Sequence, residues 1–288
     1  MFYLKQRVMP ASMREGVIQA MNRASVRLSD SVIGLKFDEK EHAYSISGVP
    51  VPSVSSIVEK YSSFDAEKTA RGCVKNPSSK YYGMKPEDVL AQWEENARQA
   101  ADAGTEVHEF AEACYLWMIG LEEEIPPKFA DRIKPDGLEA RTPKEIAAAR
   151  WWDTNDWERY VPIAKETRIY NPELKYAGTF DLLLYDTITS TYVIRDYKTN
   201  KDLHSWYGDW MRSAFKNILR DNDEGHYTLQ QNLYGIEIMD LGLPVSDSAL
   251  LWLQEDGNFE EYKLDMSVVP LIRNTVARDQ RPGGLLSS

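Results

Sequence analysis

Two strand-forming segments near the middle of the chain each carry an aspartate whose position is fixed by a short turn. The segments 176–185 and 191–197 are rich in aromatic and β-branched residues, and the residues between them are turn formers. If the residues that flank the turn pair with each other, the register places Asp181 opposite Asp196. Because alternate residues of a strand share a face, Lys198 lies on the same face as both aspartates.

The facing carboxylates of Asp181 and Asp196 predict a cation site. Like charges directly opposite on paired strands destabilise a sheet. A divalent cation turns that repulsion into a binding site, since hard cations prefer carboxylate oxygens. A lysine beside them would stabilise negative charge that develops on a phosphate. The pattern therefore favours metal-dependent phosphodiester hydrolysis. The alternative is an ordinary aspartate on each strand, one of them paired with the lysine.

The same residues carry a family resemblance. Gly178-Thr179-Phe180-Asp181 followed by Asp196-Tyr197-Lys198 resembles the signature of the PD-(D/E)XK nucleases. The resemblance implies an α/β fold with a restriction-endonuclease-like core, a mixed central sheet flanked by helices and, in this chain, a helical N-terminal half. It also implies that Asp181, Asp196 and the carbonyl of Tyr197 are metal ligands. Lys198 would orient the attacking water or stabilise the phosphate.

Further segments resemble the RecB-like branch of this superfamily, so that the match covers about residues 35–265. They are Gly104-Thr105-Glu106-Val107-His108 with Glu112, which resembles a G-T-x-x-H-x-x-x-E helix; the acidic Glu166 at the expected start of the preceding strand; and Gln230 with Tyr234, which resembles a Q-x-x-x-Y helix. The set is similar to phage-type and mitochondrial-maintenance exonucleases.

The resemblance assigns roles to these additional residues. His108 would bind the metal, and Glu112 would bind it through water or orient His108. Glu166 would be a further acidic group at the centre. Gln230 and Tyr234 share a helix face that would contact the nucleic-acid backbone and steady the lysine. Without the resemblance, a structural histidine, an edge glutamate and a core tyrosine are the simpler interpretations.

The function implied is that of a Mg²⁺- or Mn²⁺-dependent DNA nuclease, an exonuclease of replication, recombination or repair. Its expected partners are single- or double-stranded DNA and a recombination or replication protein. Two alternatives stay open. One is a nucleic-acid-binding or assembly subunit with weak or no hydrolysis, and the other is a metal hydrolase of a different phosphodiester.

The charge distribution limits where DNA can bind. The net charge of −11 is unusual for a DNA-binding surface, which is generally basic. Basic residues cluster after the second strand, where Lys201 is followed by Arg212, Lys216 and Arg220. The last three form one stripe if the segment is a helix, with a solvated helix face as the alternative. Four aromatic residues interleave with them as stacking or core residues: Trp206, Tyr207, Trp210 and Phe215.

Cysteine usage and hydropathy exclude other classes of site. Cys73 and Cys114 are the only two cysteines, too few for an iron–sulfur cluster, and we expect buried reduced thiols. No apolar run approaches the roughly 18 residues of a membrane span, and no secretory signal is evident. We expect a protein of the cytoplasm of a bacterial or phage-infected cell, neither secreted nor membrane-bound.

The chain is expected to form one nuclease domain, 34–280, with an N-terminal extension, 1–33, and a flexible tail, 281–288. We expect residues 72–83 and 121–141 to be surface connections. The expected strands beyond the central three (161–170, 176–185 and 191–197) are a hairpin at 35–46 and the runs 249–254 and 259–264. Seven helices are expected. Two of them are defined by caps: Ser53 begins a helix that runs through Tyr61, and the Thr142–Glu145 capping box begins one that runs to about Tyr160. The others are 15–28, 86–103, a helix from Gly104 to Gly120, 226–241 and 266–276.

Trp151, Trp152 and Trp157 are expected to pack the helix that begins at the capping box.

Overall fold

The computed structural model describes residues 2–6, 15–203 and 208–281. The helices are α1 (Glu15–Ser31), α2 (Val54–Tyr61), α3 (Ala66–Cys73), α4 (Pro86–Ile119), α5 (Pro143–Thr154), α6 (Asp223–Asp240) and α7 (Val269–Asp279). The strands are β1 (Phe2–Leu4), β2 (Leu35–Asp38), β3 (Ala43–Ile46), β4 (Val49–Val51), β5 (Ile133–Lys134), β6 (Gly137–Ala140), β7 (Tyr160–Asn171), β8 (Tyr176–Asp186), β9 (Thr191–Lys198), β10 (Val245–Leu253) and β11 (Phe259–Lys263).

A five-stranded sheet of order β11-β10-β9-β8-β7 forms the centre of the fold. The first three of its strands in chain order make an antiparallel meander, in which Asp186 pairs with Thr191 as predicted. The chain then crosses through α6 and returns as β10, parallel to β9. Parallel neighbours need such a crossover, because a tight turn can join only antiparallel strands.

Both faces of the central sheet are buried. Leu183 and Ile194 point into a core shared with α1, α2, α6 and α7. Leu182 and Val193, their neighbours along the strands, point into a second core with α4 and α5. The strands therefore read as continuous apolar runs rather than alternating ones. The fold is a mixed α/β arrangement with helices on both sides of the sheet.

Capping residues define several helix ends as the sequence predicted. The Ser53 hydroxyl accepts a hydrogen bond from the Ser56 backbone N–H at 3.0 Å, which satisfies one of the free donors at the start of α2. Thr142 and Glu145 form a reciprocal capping box at α5. Gly120 ends α4 in the left-handed conformation, with φ of 79°.

The predicted break at Gly104 is wrong, since α4 runs through it without interruption. An interior glycine costs a helix only about 1 kcal/mol, which the packing of a 34-residue helix offsets. A Cβ at Gly104 would lie 3.4 Å from the Thr199 hydroxyl oxygen, an ordinary van der Waals distance, so α4 passes close to the end of β9 without requiring glycine there.

The segment 121–141 is not a surface connection, and the prediction is wrong there. Its strand β6 is buried at every residue and pairs with β5 and with β1 near the N-terminus. Leu4 in β1 is fully buried, and α1 packs against β7. Strands of two to four residues are too short to show a period of two in the sequence.

Helix α5 ends before the predicted Tyr160, and the residues that follow pack back against it. Asn155 caps the helix in an extended conformation. The Trp157 ring stacks on Trp152 with 4.8 Å between centroids, and its indole N–H donates to the Trp152 carbonyl at 2.8 Å. The expectation that these tryptophans pack the helix is confirmed, together with fully buried Trp151.

The basic residues after β9 do not form a helical stripe. Between residues 208 and 222, which the structure describes, the one helical element is a one-turn 3-10 helix, Ser213–Phe215, and Arg212 and Lys216 are exposed on either side of it. The Arg220 guanidinium lies 3.7 Å from the centre of the Trp210 ring. The predicted i, i+4, i+8 face is therefore wrong.

Other expectations have simple outcomes. Phe215 is a core residue, whereas Trp206, Tyr207 and the tail beyond residue 281 lie outside the described residues. Both cysteines are free; Cys114 is buried and Cys73 half-buried. Among the helices of the described ranges, none has the length and apolar character needed to cross a membrane.

Glu237 provides a test of the core on the α6 side of the sheet. It is 1% exposed, and burial together with the Asp240 carboxylate raises its pKa from 4.5 to about 7, opposed by Asn171 and Arg273. The folded state therefore holds this proton more tightly than the unfolded chain does. Its contribution to stability is full below pH 4.5 and is lost as pH rises toward 7.

We expect Glu237→Gln, which mimics the protonated side chain, to raise the free energy of unfolding at pH 8 by about 1–3 kcal/mol. Near pH 4.5 the variant and the wild type should be equally stable. Urea unfolding at the two pH values measures the difference, with the exposed Glu59→Gln as control. An equal effect of Glu237→Gln at both pH values would contradict this account.

Candidate metal centre

The meander brings Asp181, in the middle of β8, and Asp196 of β9 together just beyond the end of the ladder between these strands. The last pair of the ladder before them is Leu182 with Arg195, so the aspartates are the next residues on each strand. The Asp181 Oδ2 atom accepts a hydrogen bond from the Tyr197 backbone N–H at 2.8 Å. Asp181 thus extends across the end of the ladder and is held by the neighbouring strand.

Helix α4 supplies His108 to this point. Its Nε2 atom lies 3.0 Å from the Tyr197 carbonyl oxygen, which can only accept, so this nitrogen carries a proton. In the neutral imidazole the Nδ1 atom holds the lone pair, and it lies 3.4 Å from Asp181 Oδ2. A divalent cation coordinated by both atoms would satisfy them, as would a proton on Nδ1. A histidine whose second nitrogen donates to a carbonyl is the usual arrangement at metal sites.

Glu166 completes a cluster with His108 and Asp181. It lies within β7, where the residues on either side pair with Leu182 and Phe180 of β8, so Glu166 lies opposite Asp181. Its φ of 42° is left-handed, which is uncommon for a non-glycine residue and typical of functional positions. One ligand atom from each member of this trio lies within 4.8 Å of the others.

The carboxylates of this cluster carry more negative charge than the protein around them compensates. Burial and the charge of Asp196 raise the pKa of Asp181 to about 6. Partial enclosure in the cleft and the charge of Asp181 raise the pKa of Glu166 to about 8. Both shifts mean that the ionised forms are disfavoured without an added positive charge. Oxygen ligands, an imidazole and surplus negative charge fit a divalent cation.

Asp196 has a different environment from Asp181. It is 2% exposed, forms an ion pair with Lys198 through Oδ2 and accepts a hydrogen bond from Gln231 Nε2 at 2.7 Å through Oδ1. Both oxygens therefore have protein partners, and Asp196 lies outside the compact trio. The structure places it as the group that holds the lysine next to the cluster.

Lys198 is fixed on several sides. Burial opposes its charge, but Asp196 and Asp181 raise its pKa above the usual value, so it stays protonated. The Tyr227 ring lies 4.6 Å from the ammonium nitrogen, a cation–π contact. Gln231 was not identified as a site residue from the sequence. It and its neighbour Asn232 are both fully buried in the structure, and nothing in the sequence indicated that these amides point inward.

Gln230 and Tyr234 lie on one face of α6, with Gln230 Nε2 donating to the Tyr234 hydroxyl at 3.3 Å. They line the same cavity as Asp181 and Asp196. Their approach to β8 depends on Gly178. A Cβ there would lie 2.7 Å from the Tyr234 ring and 3.0 Å from Val54, so glycine in the G-T-x-D segment is a packing requirement.

The remaining predicted site residues are not members of the trio. Glu112 lines the same cavity as His108 and Glu166, where it forms an ion pair with Lys165. Lys201, Arg212 and Lys216 are exposed and line neither of the two cavities at the cluster. The Tyr197 carbonyl, predicted as a ligand, accepts the hydrogen bond from His108.

The cluster lies where two cavities meet. One of about 720 Å³ includes the α6 face and the β2–β3 hairpin. The other, of about 590 Å³, is bounded by α4 and the residues after β9. Both are lined by His108, Glu166 and Lys198, so an extended molecule could pass from one cavity to the other across the cluster.

Comparison with known proteins gave no relative: neither a protein-family model nor a curated protein sequence matches this chain.

Gly178→Ala tests the packing that holds α6 against the cluster. We expect a loss of about 1–3 kcal/mol in the free energy of unfolding, because the added methyl overpacks the contact with Tyr234. Chemical denaturation measures this loss. Gly72→Ala is the control, since nothing lies within 4 Å of its added Cβ and alanine favours its helix. A Gly178→Ala protein as stable as this control would contradict the packing described.

Proposed function

We propose that this chain is a divalent-metal-dependent DNA nuclease of the PD-(D/E)XK type. The observation that carries the proposal is the convergence of His108, Glu166 and Asp181 beside the protonated Lys198. Four chain segments separated in sequence contribute these groups to the junction of two cavities. Such a set is costly to keep together unless a cation and an anionic substrate bind there.

The residues fit Mg²⁺ or Mn²⁺. Carboxylate oxygens suit both ions, and an imidazole suits the second somewhat better. When bound, such an ion polarises a phosphoryl oxygen and lowers the pKa of a coordinated water. The ligands would be Asp181, Glu166 and Nδ1 of His108, whose orientation is fixed by its hydrogen bond to the Tyr197 carbonyl. Two cysteines exclude an iron–sulfur cluster of four thiolates.

The other groups of the cleft hold the substrate and stabilise charge. Lys198 presents a fixed ammonium to the charge that develops on the phosphate, and Asp196 with Gln231 keeps it there. The amide of Gln230 and the phenol of Tyr234 can donate hydrogen bonds to phosphate oxygens without adding charge. The roles of Lys198, Gln230 and Tyr234 agree with those that the family resemblance implies. Asp196, which the resemblance implies as a metal ligand, here holds the lysine instead.

The arrangement of the meander and crossover also supports the family proposal. The acidic residues and the lysine lie on adjacent strands of a mixed sheet flanked by helices, as the resemblance implies for this core. The RecB-like segments around His108 and Gln230 extend the proposal to an exonuclease. Digestion of linear and circular substrates tests that extension, since circular DNA cut as readily as linear DNA would contradict it.

We expect Lys198→Ala and Asp181→Asn each to lower the rate of DNA cleavage with Mn²⁺ by at least about 10²-fold. The first removes the ammonium that stabilises charge on the phosphate, and the second removes a carboxylate ligand of the metal. End-labelled oligonucleotides measure the rate, and circular dichroism checks the fold. Asp181→Asn is nearly isosteric, so the test stays decisive even if Lys198→Ala does not fold. Lys263→Ala, on the exposed face of β11, is the control and should cleave normally.

Several outcomes would decide against the proposal. Full cleavage by Lys198→Ala, or cleavage in excess chelator, would exclude the metal mechanism. Binding of DNA without product would favour the binding or assembly subunit. Turnover of small phosphodiesters but not of DNA would favour a hydrolase of another substrate.

A further inference from the structure

A second wall of the larger cavity is aromatic and was not expected to contact a substrate. The β2–β3 hairpin contributes Phe37, His42 and Tyr44 to it. The Phe37 ring centre lies 4.7 Å from that of Tyr44 and 5.8 Å from that of His42. Tyr44 is buried, Phe37 is half-buried and His42 is exposed, so the group is anchored at one end and open at the other.

The hairpin has a fixed position relative to the metal cluster. The Tyr44 hydroxyl and the Thr179 hydroxyl are hydrogen-bonded at 2.9 Å, and Thr179 precedes Asp181 by two residues on β8. A molecule that lies on the hairpin is therefore held at a defined distance from the cluster. Without the hydrogen bond between Tyr44 and Thr179, the aromatic rings would not be held at a fixed distance from the cluster.

Arg168 adds a planar cation to the same surface. It follows Glu166 by two residues on β7, and its guanidinium carbon lies 5.0 Å from the centre of the Phe37 ring. Its carboxylate neighbour, Glu39, is 4.0 Å away and 87% exposed, while Arg168 itself is 48% exposed. A long, solvated pair of this kind holds the guanidinium only weakly, so the cation is available to a ligand.

We propose that this surface binds an unpaired nucleotide of a single nucleic-acid strand, so that the substrate of the site is single-stranded DNA or a single-stranded end. This inference rests on the proposed nuclease function of the cluster. The Arg168 guanidinium, which lies over the Phe37 ring, offers a planar stacking surface for a base, with the His42 ring edge-on beside Phe37. The guanidinium N–H groups bind the adjoining phosphate. A base within a duplex has no free face for such stacking.

The distribution of charge also favours the β2–β3 hairpin side of the larger cavity as the binding surface. The protein carries a net charge of −11, and the cluster itself is acidic, so a phosphodiester strand needs local cations. Within the larger cavity Arg168 supplies one that is exposed, whereas Lys198 is buried against Asp196. The strand would run from the hairpin past the cluster into the second cavity.

Equilibrium binding tests the surface independently of hydrolysis. We expect Arg168→Gln to weaken binding of a fluorescein-labelled poly-dT oligonucleotide about tenfold or more in fluorescence anisotropy with Ca²⁺ present. Phe37→Leu should weaken it severalfold, and Arg168→Lys should recover only part of the loss because it keeps the charge without the plane. Arg71→Gln, an exposed arginine of α3 paired with Glu67, is the control and should bind normally.

The outcomes separate this inference from the proposed function. Unchanged single-strand affinity in Arg168→Gln and Phe37→Leu, with folds verified by thermal melts, would overturn the inference even if the wild type cleaves DNA. Equal losses for blunt duplex and single strand would also overturn it. If Asp181→Asn cleaves as well as the wild type, the proposed function fails, and the anisotropy series still decides whether the hairpin binds a single strand.

Discussion

The register between β8 and β9 is the constraint on which the rest of the site depends. Asp186 pairs with Thr191 across the turn, and that one pairing brings Asp181 to the Tyr197 backbone N–H. A slip of one residue would turn every side chain of a strand to the opposite face. Because both faces are packed by separate cores, such a slip would place misfitting side chains in each core. The stability of the fold therefore fixes the geometry of the carboxylates.

A glycine in β8 allows a helix to reach that geometry. A Cβ at Gly178 would lie 2.7 Å from the Tyr234 ring and 3.0 Å from Val54, so glycine lets both residues pack against the strand. The G-T-x-D segment that resembles a nuclease motif thus has a packing function as well as a place in the family signature.

The sequence predicted the meander, its register and several helix ends, because these depend on local signals: turn formers, strand-forming residues and capping side chains. It did not predict that α4 continues through Gly104 or that β6 is buried, since tertiary packing decides both. The sequence suggested Glu166 as an acidic residue of the site, but its left-handed backbone conformation cannot be predicted from one sequence. Gln231, which donates a hydrogen bond to Asp196, was not predicted, because the motif match fell on the adjacent Gln230.

The proposed function depends on a cation bound among His108, Glu166 and Asp181. In this cluster an imidazole and two carboxylates lie close together, and the pKa values of both carboxyl groups are raised. Anomalous diffraction from crystals soaked in Mn²⁺ tests this most directly. The account predicts one strong peak within ligand distance of His108 Nδ1 and of carboxylate oxygens of Asp181 and Glu166. Soaked crystals with no peak there, while the three side chains remain in place, would contradict it.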